Sequence, residues 1–166
     1  KHIFTPLNVG PFILPNRIVM GSMHTGLEDV KKKKKKLAHY FAQRVQGEVG
    51  LIITGGYAPS FFGWVKPFGG GLYCKSQIKK HKVVTDEVHK YNGKICRQIL
   101  HTGRYGYHPF NISPSGIKAP INIFRSIKMP QFLIRNQIKA FGRSAYYAEL
   151  AGYDGVEIMG SEGYLI

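Results

Sequence analysis

Lys94-Ile-Cys-Arg-Gln-Ile-Leu-His101-Thr-Gly-Arg104 is the stretch on which the reading of the whole chain turns. Residues 94–100 form a short, Ile-rich run between Asn92-Gly93 and Thr102-Gly103, the form of a buried strand rather than a helix. Three other runs share that form: Arg17–Met20, Gly50–Thr54 and Gly155–Met159. Helical patterns lie between them. Leu37, Phe41 and Val45 recur at four-residue spacing beside Ala38 and Ala42. Val84, Val88 and Tyr91 follow the same rule and stop at Asn92-Gly93. Ile134, Ile138, Phe141, Ala145 and Ala148 step by four and three and end at Gly152. The order is strand, helix, strand, helix, strand, helix, strand.

Strict alternation makes parallel βαβ units, because parallel neighbours need a crossover and a helix supplies it. Right-handed crossovers leave an open doubly wound sheet or a (β/α)8 barrel. A barrel takes about 250 residues, so the 166 residues here hold about half of one. Before the first strand, Phe4–Leu14 carries Pro6, Gly10 and Pro11 among apolar residues and reads as a small hairpin over the barrel's bottom. Ala58–Tyr73 and Thr102–Pro130 are long connections rich in Gly, Pro and aromatics; loops of that length in a compact domain are usually functional or disordered.

Composition narrows the classes. With 43% hydrophobic residues the chain is globular rather than disordered or fibrous. Mean hydropathy is −0.17, and no apolar run approaches the roughly 18 residues of a membrane span. No charged-then-apolar leader opens the chain, so the cytoplasm is the expected compartment and a membrane is not an expected partner. Starting at Lys1 rather than Met, the chain reads as a stretch of a longer protein. Cys74 and Cys96 are too few for a disulfide scaffold and too far apart for a CxxC pair; they read as core or loop thiols. The net charge of +15 includes one block, Lys31–Lys36, without which 18 cations face 9 anions. Such a block reads first as a solvated, mobile segment and only second as a nucleic-acid contact.

In both architectures ligands bind at the carboxyl ends of the strands. Those ends read Gly21-Ser22-Met23-His24-Thr25-Gly26, Thr54-Gly55-Gly56, Gln98 to Arg104, and Gly160-Ser161-Glu162-Gly163-Tyr164. Each sets Gly beside polar donors, and Gly lets backbone N–H groups approach a flat or anionic ligand. No His/Cys/Asp spacing forms a metal-ligand set. A planar cofactor suits the rim better than a metal.

These residues carry a resemblance. Asn16-Arg17-Ile-Val-Met-Gly-Ser-Met-His-Thr-Gly26, Thr54-Gly55-Gly56, Gln98-Ile-Leu-His101-Thr-Gly-Arg104 and Gly152-Tyr-Asp-Gly-Val-Glu-Ile-Met-Gly-Ser-Glu-Gly-Tyr164 are similar, in order and spacing, to the old yellow enzyme superfamily of NADH:flavin oxidoreductases. Within it they most resemble the bacterial flavin/iron–sulfur 2,4-dienoyl-CoA reductase branch. The resemblance implies an α/β fold, the first half of a (β/α)8 TIM barrel binding FMN. Residues 1–16 would be the N-terminal hairpin and 17–166 the first four strands with their connecting helices. It implies that Ser22, Met23 and His24 line the FMN ring, that Gly56 is the close-approach glycine beneath it, and that Gln98 hydrogen-bonds the pyrimidine edge. Tyr164 matches the family's proton donor.

The implied reaction, in fatty acid β-oxidation, passes a hydride from reduced FMN to the far end of a conjugated enoyl-CoA while Tyr164 protonates the neighbouring carbon. A phenol of ordinary pKa about 10 holds its proton at neutral pH. FAD, an iron–sulfur cluster and NADPH are implied for later parts of the family's chain, since neither a cysteine cluster nor GxGxxG occurs here. The partners implied are the small-molecule enoyl-CoA and the remainder of the same chain. Two alternatives stay open: another enzyme of the superfamily, such as an amine dehydrogenase or enoate reductase, or a basic nucleic-acid-binding α/β protein with aromatics near Lys75–Lys82.

Several residues have a plainer reading beside the functional one. His24 serves the cofactor or merely a loop carbonyl. His101 touches the ligand or only orients the Gln98 segment. Tyr164 alone is an ordinary amphipathic aromatic. Glu157, inside the fourth strand, needs a partner, and Arg17 is the expected one. Period two points Arg97 away from Gln98 toward the helical layer, where an unpaired guanidinium is costly. Lys31–Lys36 departs from the family's mixed loop and helix start.

Overall fold

The computed structural model describes residues 2–166, with only the backbone for Lys31; Lys1 lies outside the described residues. An antiparallel hairpin opens the fold: β1 (Leu7–Asn8) pairs with β2 (Ile13–Leu14). Four parallel strands follow as one sheet in sequence order: β3 (Val19–Met20), β4 (Leu51–Ile53), β5 (Ile95–Ile99) and β8 (Gly155–Ile158). The crossovers are α1 (Lys34–Gln46), α2 (Lys75–His89) and α3 (Gln131–Leu150). The long connection after β5 is not the plain loop its composition suggests. It carries a small parallel pair, β6 (Ile112–Ser113) with β7 (Ile127–Lys128).

Alternation along the strands sorts side chains onto two faces. Ile52 and Ile95 pack under the helices with Leu37, Phe41, Val45, Val84, Val88 and Ala148, and this is the core. On the opposite face stand Val19, Ile53, Gln98 and Glu157, fixed there by the register Ile53↔Cys96 and Gln98↔Glu157. Val19 on that face is 46% exposed, and the outer edge strand β8 leaves Ile158 56% exposed. A sheet with a helix-covered outer face, an open inner face and two free edges has the architecture of half a (β/α)8 barrel. No helix among the described residues is long and apolar enough to cross a membrane.

Three local expectations change. First, α3 is turned relative to its apolar stripe: Ile138 is 67% exposed, while Gln137, Ala140, Ser144 and Tyr147 face inward. The cause is polar. The Ser144 hydroxyl and carbonyl accept from Arg97 Nη1 at 2.8 and 3.2 Å, and Gln137 accepts from Ser60 at 2.8 Å. Second, buried Arg97 does point into the helical layer, yet all its partners are neutral oxygens, the third being the Tyr57 carbonyl at 3.1 Å. Burial pulls its guanidinium down to about 10. Third, the lysine block is helical rather than irregular, forming a 3-10 turn and the start of α1. Lys34 turns inward, donating to the Glu28 carbonyl at 2.9 Å and the Tyr57 hydroxyl at 3.2 Å.

Candidate active site

The carboxyl ends of β3, β4, β5 and β8 lie side by side, so the segments following them share one rim. Its centre is Gln98. Backbone donation from Gln98 N to Thr54 Oγ1 at 3.2 Å ties β5 to the end of β4. The side-chain amide, of a residue only 4% exposed, projects onto the inner face and donates to Ser22 Oγ at 2.8 Å and to Glu157 Oε1 at 2.7 Å, with Met159 Sδ at 3.5 Å. Three strands thereby deliver a hydroxyl, an amide and a carboxylate to one spot. Arg17, the partner expected for Glu157, instead donates to Thr5 Oγ1 at the far end of the sheet. The register decides this, since Glu157 stands opposite Gln98.

Gly55 and Gly56 are required by close packing. A Cβ on Gly56 would stand 2.5 Å from Leu100 Cδ2 and 3.1 Å from Gln98 Oε1, so the near approach at Gly56 is made by those two side chains. A Cβ on Gly55 would meet the Met23 carbonyl at 2.7 Å, so this glycine lets the segment after β3 cross the end of β4. Met23 itself keeps an exposed side chain. His24 is held by its own segment: its Nε2 pairs with Asp29 Oδ2 at 3.1 Å, and Asp29 also receives Lys66 at 3.0 Å and Gly70 N–H at 2.9 Å. The hydrogen bond to Asp29 raises the His24 pKa, and the same bond holds Asp29 well below the usual carboxylate range.

Tyr164 stands on the same rim but apart from the Ser22–Gln98–Glu157 group. Ser161 to Tyr164 closes a tight turn, Tyr164 N–H donating to the Ser161 carbonyl at 3.5 Å. Both central residues, Glu162 and Gly163, have positive φ (64° and 71°), the pattern of a type I′ turn. The Tyr164 ring meets Tyr105 edge-on, centroids 5.7 Å apart. Burial, then the Glu162 carboxylate, holds its hydroxyl above the ordinary value of 10, which keeps the proton in place. His101 is buried, with Nδ1 accepting Gly103 N–H at 3.1 Å and the ring against Phe141; it braces the segment after β5. Burial pulls it down to about 4, so it is neutral.

Beside the candidate site residues stand Glu157, read from the sequence only as a carboxylate in need of a partner, and the loop residues Asp29 and Tyr105, which the motifs did not single out. For Glu157 the signal was available, since strand pairing puts it opposite Gln98. For the loop residues none existed, because their positions depend on long-range contacts. The residues present fit a flavin: with both Gln98 amide hydrogens given to Ser22 and Glu157, Gln98 Oε1 can accept and the Ser22 hydroxyl can donate, a pair matching the alternating donors and acceptors of a pyrimidine edge. No group of three or more His, Cys, Asp or Glu able to hold a metal occurs among the described residues.

Residues 2–166 match the family described as NADH:flavin oxidoreductase / NADH oxidase. The chain is similar to an NADPH dehydrogenase of Bacillus licheniformis, 31% identical over all of this chain and 50% of that one. It is also similar to a metal reductase of Desulforamulus reducens, 28% identical over 99% of this chain and 25% of that one. In fold it matches the old yellow enzyme homologue of Zymomonas mobilis with a TM-score of 0.87, at 26% identity over 99% of this chain and 50% of the other. The chain thus spans a quarter to a half of the length of these relatives.

Proposed function

The chain belongs to the NADH:flavin oxidoreductase / NADH oxidase family, and on that premise we propose that residues 1–166 are the N-terminal half of the FMN barrel of a 2,4-dienoyl-CoA reductase. The observation that carries the flavin assignment is the amide of Gln98, held on the inner face between Ser22 and Glu157. Gln98 and Ser22 would hold the pyrimidine edge of FMN, with Met23 beside them. His24 contributes through Asp29, which fixes the segment over the end of β4. The chemistry that bound FMN supplies is hydride transfer to the distal carbon of a conjugated acyl thioester.

Tyr164 completes that addition. Its hydroxyl donates a proton to the carbon next to the one reduced, so one hydride and one proton add across a single C=C bond, and the phenolate regains its proton from water. Its raised pKa suits a donor that must keep its proton until the carbon becomes basic. The four motifs in register favour the dienoyl-CoA branch, and the roughly fourfold greater length of the D. reducens relative supports a longer chain around such a barrel. In this reading the remaining strands, FAD, the iron–sulfur cluster and the NADPH site belong to other parts of the same chain.

A second reading is a simpler NADPH-linked enoate reductase, favoured by the B. licheniformis relative. Purified full-length protein separates the two. The dienoyl-CoA reading predicts flavin absorbance, bound iron and NADPH-dependent reduction of dienoyl-CoA far faster than of simple enones. Flavin without iron, with enones preferred, would support the second reading. A colourless protein would refute both.

A further inference from the structure

Beside Tyr164 lies a recess of about 380 Å3 lined by Val65, Thr102, Tyr105, Ile121, Glu162 and Tyr164. Val65 comes from the connection after β4, and Tyr105 and Ile121 from the connection after β5. We infer that this recess receives the apolar carbon chain of the substrate, and that Val65, Tyr105 and Ile121 set which chain lengths are accepted. The inference rests on Tyr164 as the proton donor, and it adds the direction in which the substrate lies.

Three observations carry it. The walls include apolar side chains that residues 1–166 leave uncovered: Ile121 is 82% exposed and Val65 38%. The two loops are cross-braced, so the recess is preformed, as ligand sites generally are. Tyr107 N–H donates to the Val65 carbonyl at 2.8 Å and Thr102 Oγ1 to the Trp64 carbonyl at 2.8 Å. Next to Ile121, Asn122 Nδ2 donates to the carbonyls of Arg104 and Gly106 at 3.0 and 2.8 Å. Finally, the one charged wall residue is the carboxylate Glu162. A coenzyme A moiety carries several phosphates, and like charges repel. The uncharged hydrocarbon end therefore enters the recess, and the coenzyme end leaves by another side of the rim.

The test uses the full-length flavoprotein and saturated acyl-CoA ligands, which bind without being reduced. Titration calorimetry with butanoyl-, octanoyl- and dodecanoyl-CoA should show affinity rising with chain length, by up to about fourfold for each methylene fully buried, until the recess is full. Ile121→Asp should flatten that rise, and Val65→Trp should move the optimum to shorter chains. Bound flavin reports the fold of each variant. An unchanged chain-length profile in both variants overturns the recess assignment while leaving the dienoyl-CoA reading intact. Failure of the wild-type flavoprotein to bind any of the three acyl-CoAs overturns that reading, and the recess assignment with it.

Discussion

At the scale of single residues, Tyr164 in the turn after β8 gives the most direct readout. Tyr164→Phe removes one hydroxyl from a turn held by its backbone. Turnover should fall by about a hundredfold or more with flavin content unchanged; a variant that loses flavin would make Tyr164 a binding group. Arg97 shows what the sequence could and could not say. Its direction follows from period two, but its tolerance does not, because three neutral oxygens from distant segments replace the missing carboxylate. Two of them keep other roles: Ser144 Oγ donates to the Leu72 carbonyl, and the Tyr57 carbonyl accepts from Leu100 N–H. Arg97→Met should therefore cost within about 1 kcal/mol of unfolding free energy, against about 3 kcal/mol for Arg97→Ala, which leaves a cavity. Equal losses in denaturant titrations would contradict this. His101 and His81 are buried and neutral, each with a pKa below the ordinary 6.5, His101 at about 4. The unfolded chain binds these protons first, so their contribution is complete above pH 6.5 and is lost as pH falls toward 4. For His101 the loss reaches about 3 kcal/mol. Denaturation midpoints of the full-length protein should drop across that window, with a shallower slope in His101→Gln.

Elements were legible where one rule governs them. The hairpin, the four strands and the three helices follow from apolar spacing and Gly or Pro stops, and the observed bounds differ by a few residues. The face that α3 buries was not legible. Ile134 and Ile138 promise an apolar stripe, whereas Arg97 and Ser60, remote in sequence, draw Ser144 and Gln137 inward. Nor was the β6–β7 pair, whose strands have two residues each. Two turns carry sharp predictions. After α2, Gly93 sits where a Cβ would strike Val45 and Val88, the contact of α1 with α2. Gly93→Ala should destabilise the full-length protein by about 1–3 kcal/mol, as overpacked cores do, and a neutral effect on the melting midpoint would refute that packing. A Cβ on Gly163 would meet only ordinary contacts, Tyr105 nearest at 3.6 Å, but its φ is positive, so Gly163→Ala should slow turnover through a displaced Tyr164 while leaving flavin bound.

Over the whole molecule, the helix-covered face carries the core and the inner face carries the candidate site. The core lies entirely between sheet and helices, so the inner face and both edges need further strands to be buried. Residues 1–166 expressed alone should accordingly unfold without a cooperative transition, and a sharp calorimetric melt would contradict the half-barrel account. The shared rim was legible because it is made of strand ends, where sequence position fixes place. The cross-braced loops around Tyr164 were not, because tertiary contacts shape them. The decisive measurement is a titration of the flavin-free, full-length protein with FMN, followed by quenching of flavin fluorescence. The account predicts saturable binding that Gln98→Ala weakens about tenfold or more, with Lys90→Ala, at the other end of the sheet, unchanged. Equal binding by wild type and Gln98→Ala, or no binding by either, would contradict it.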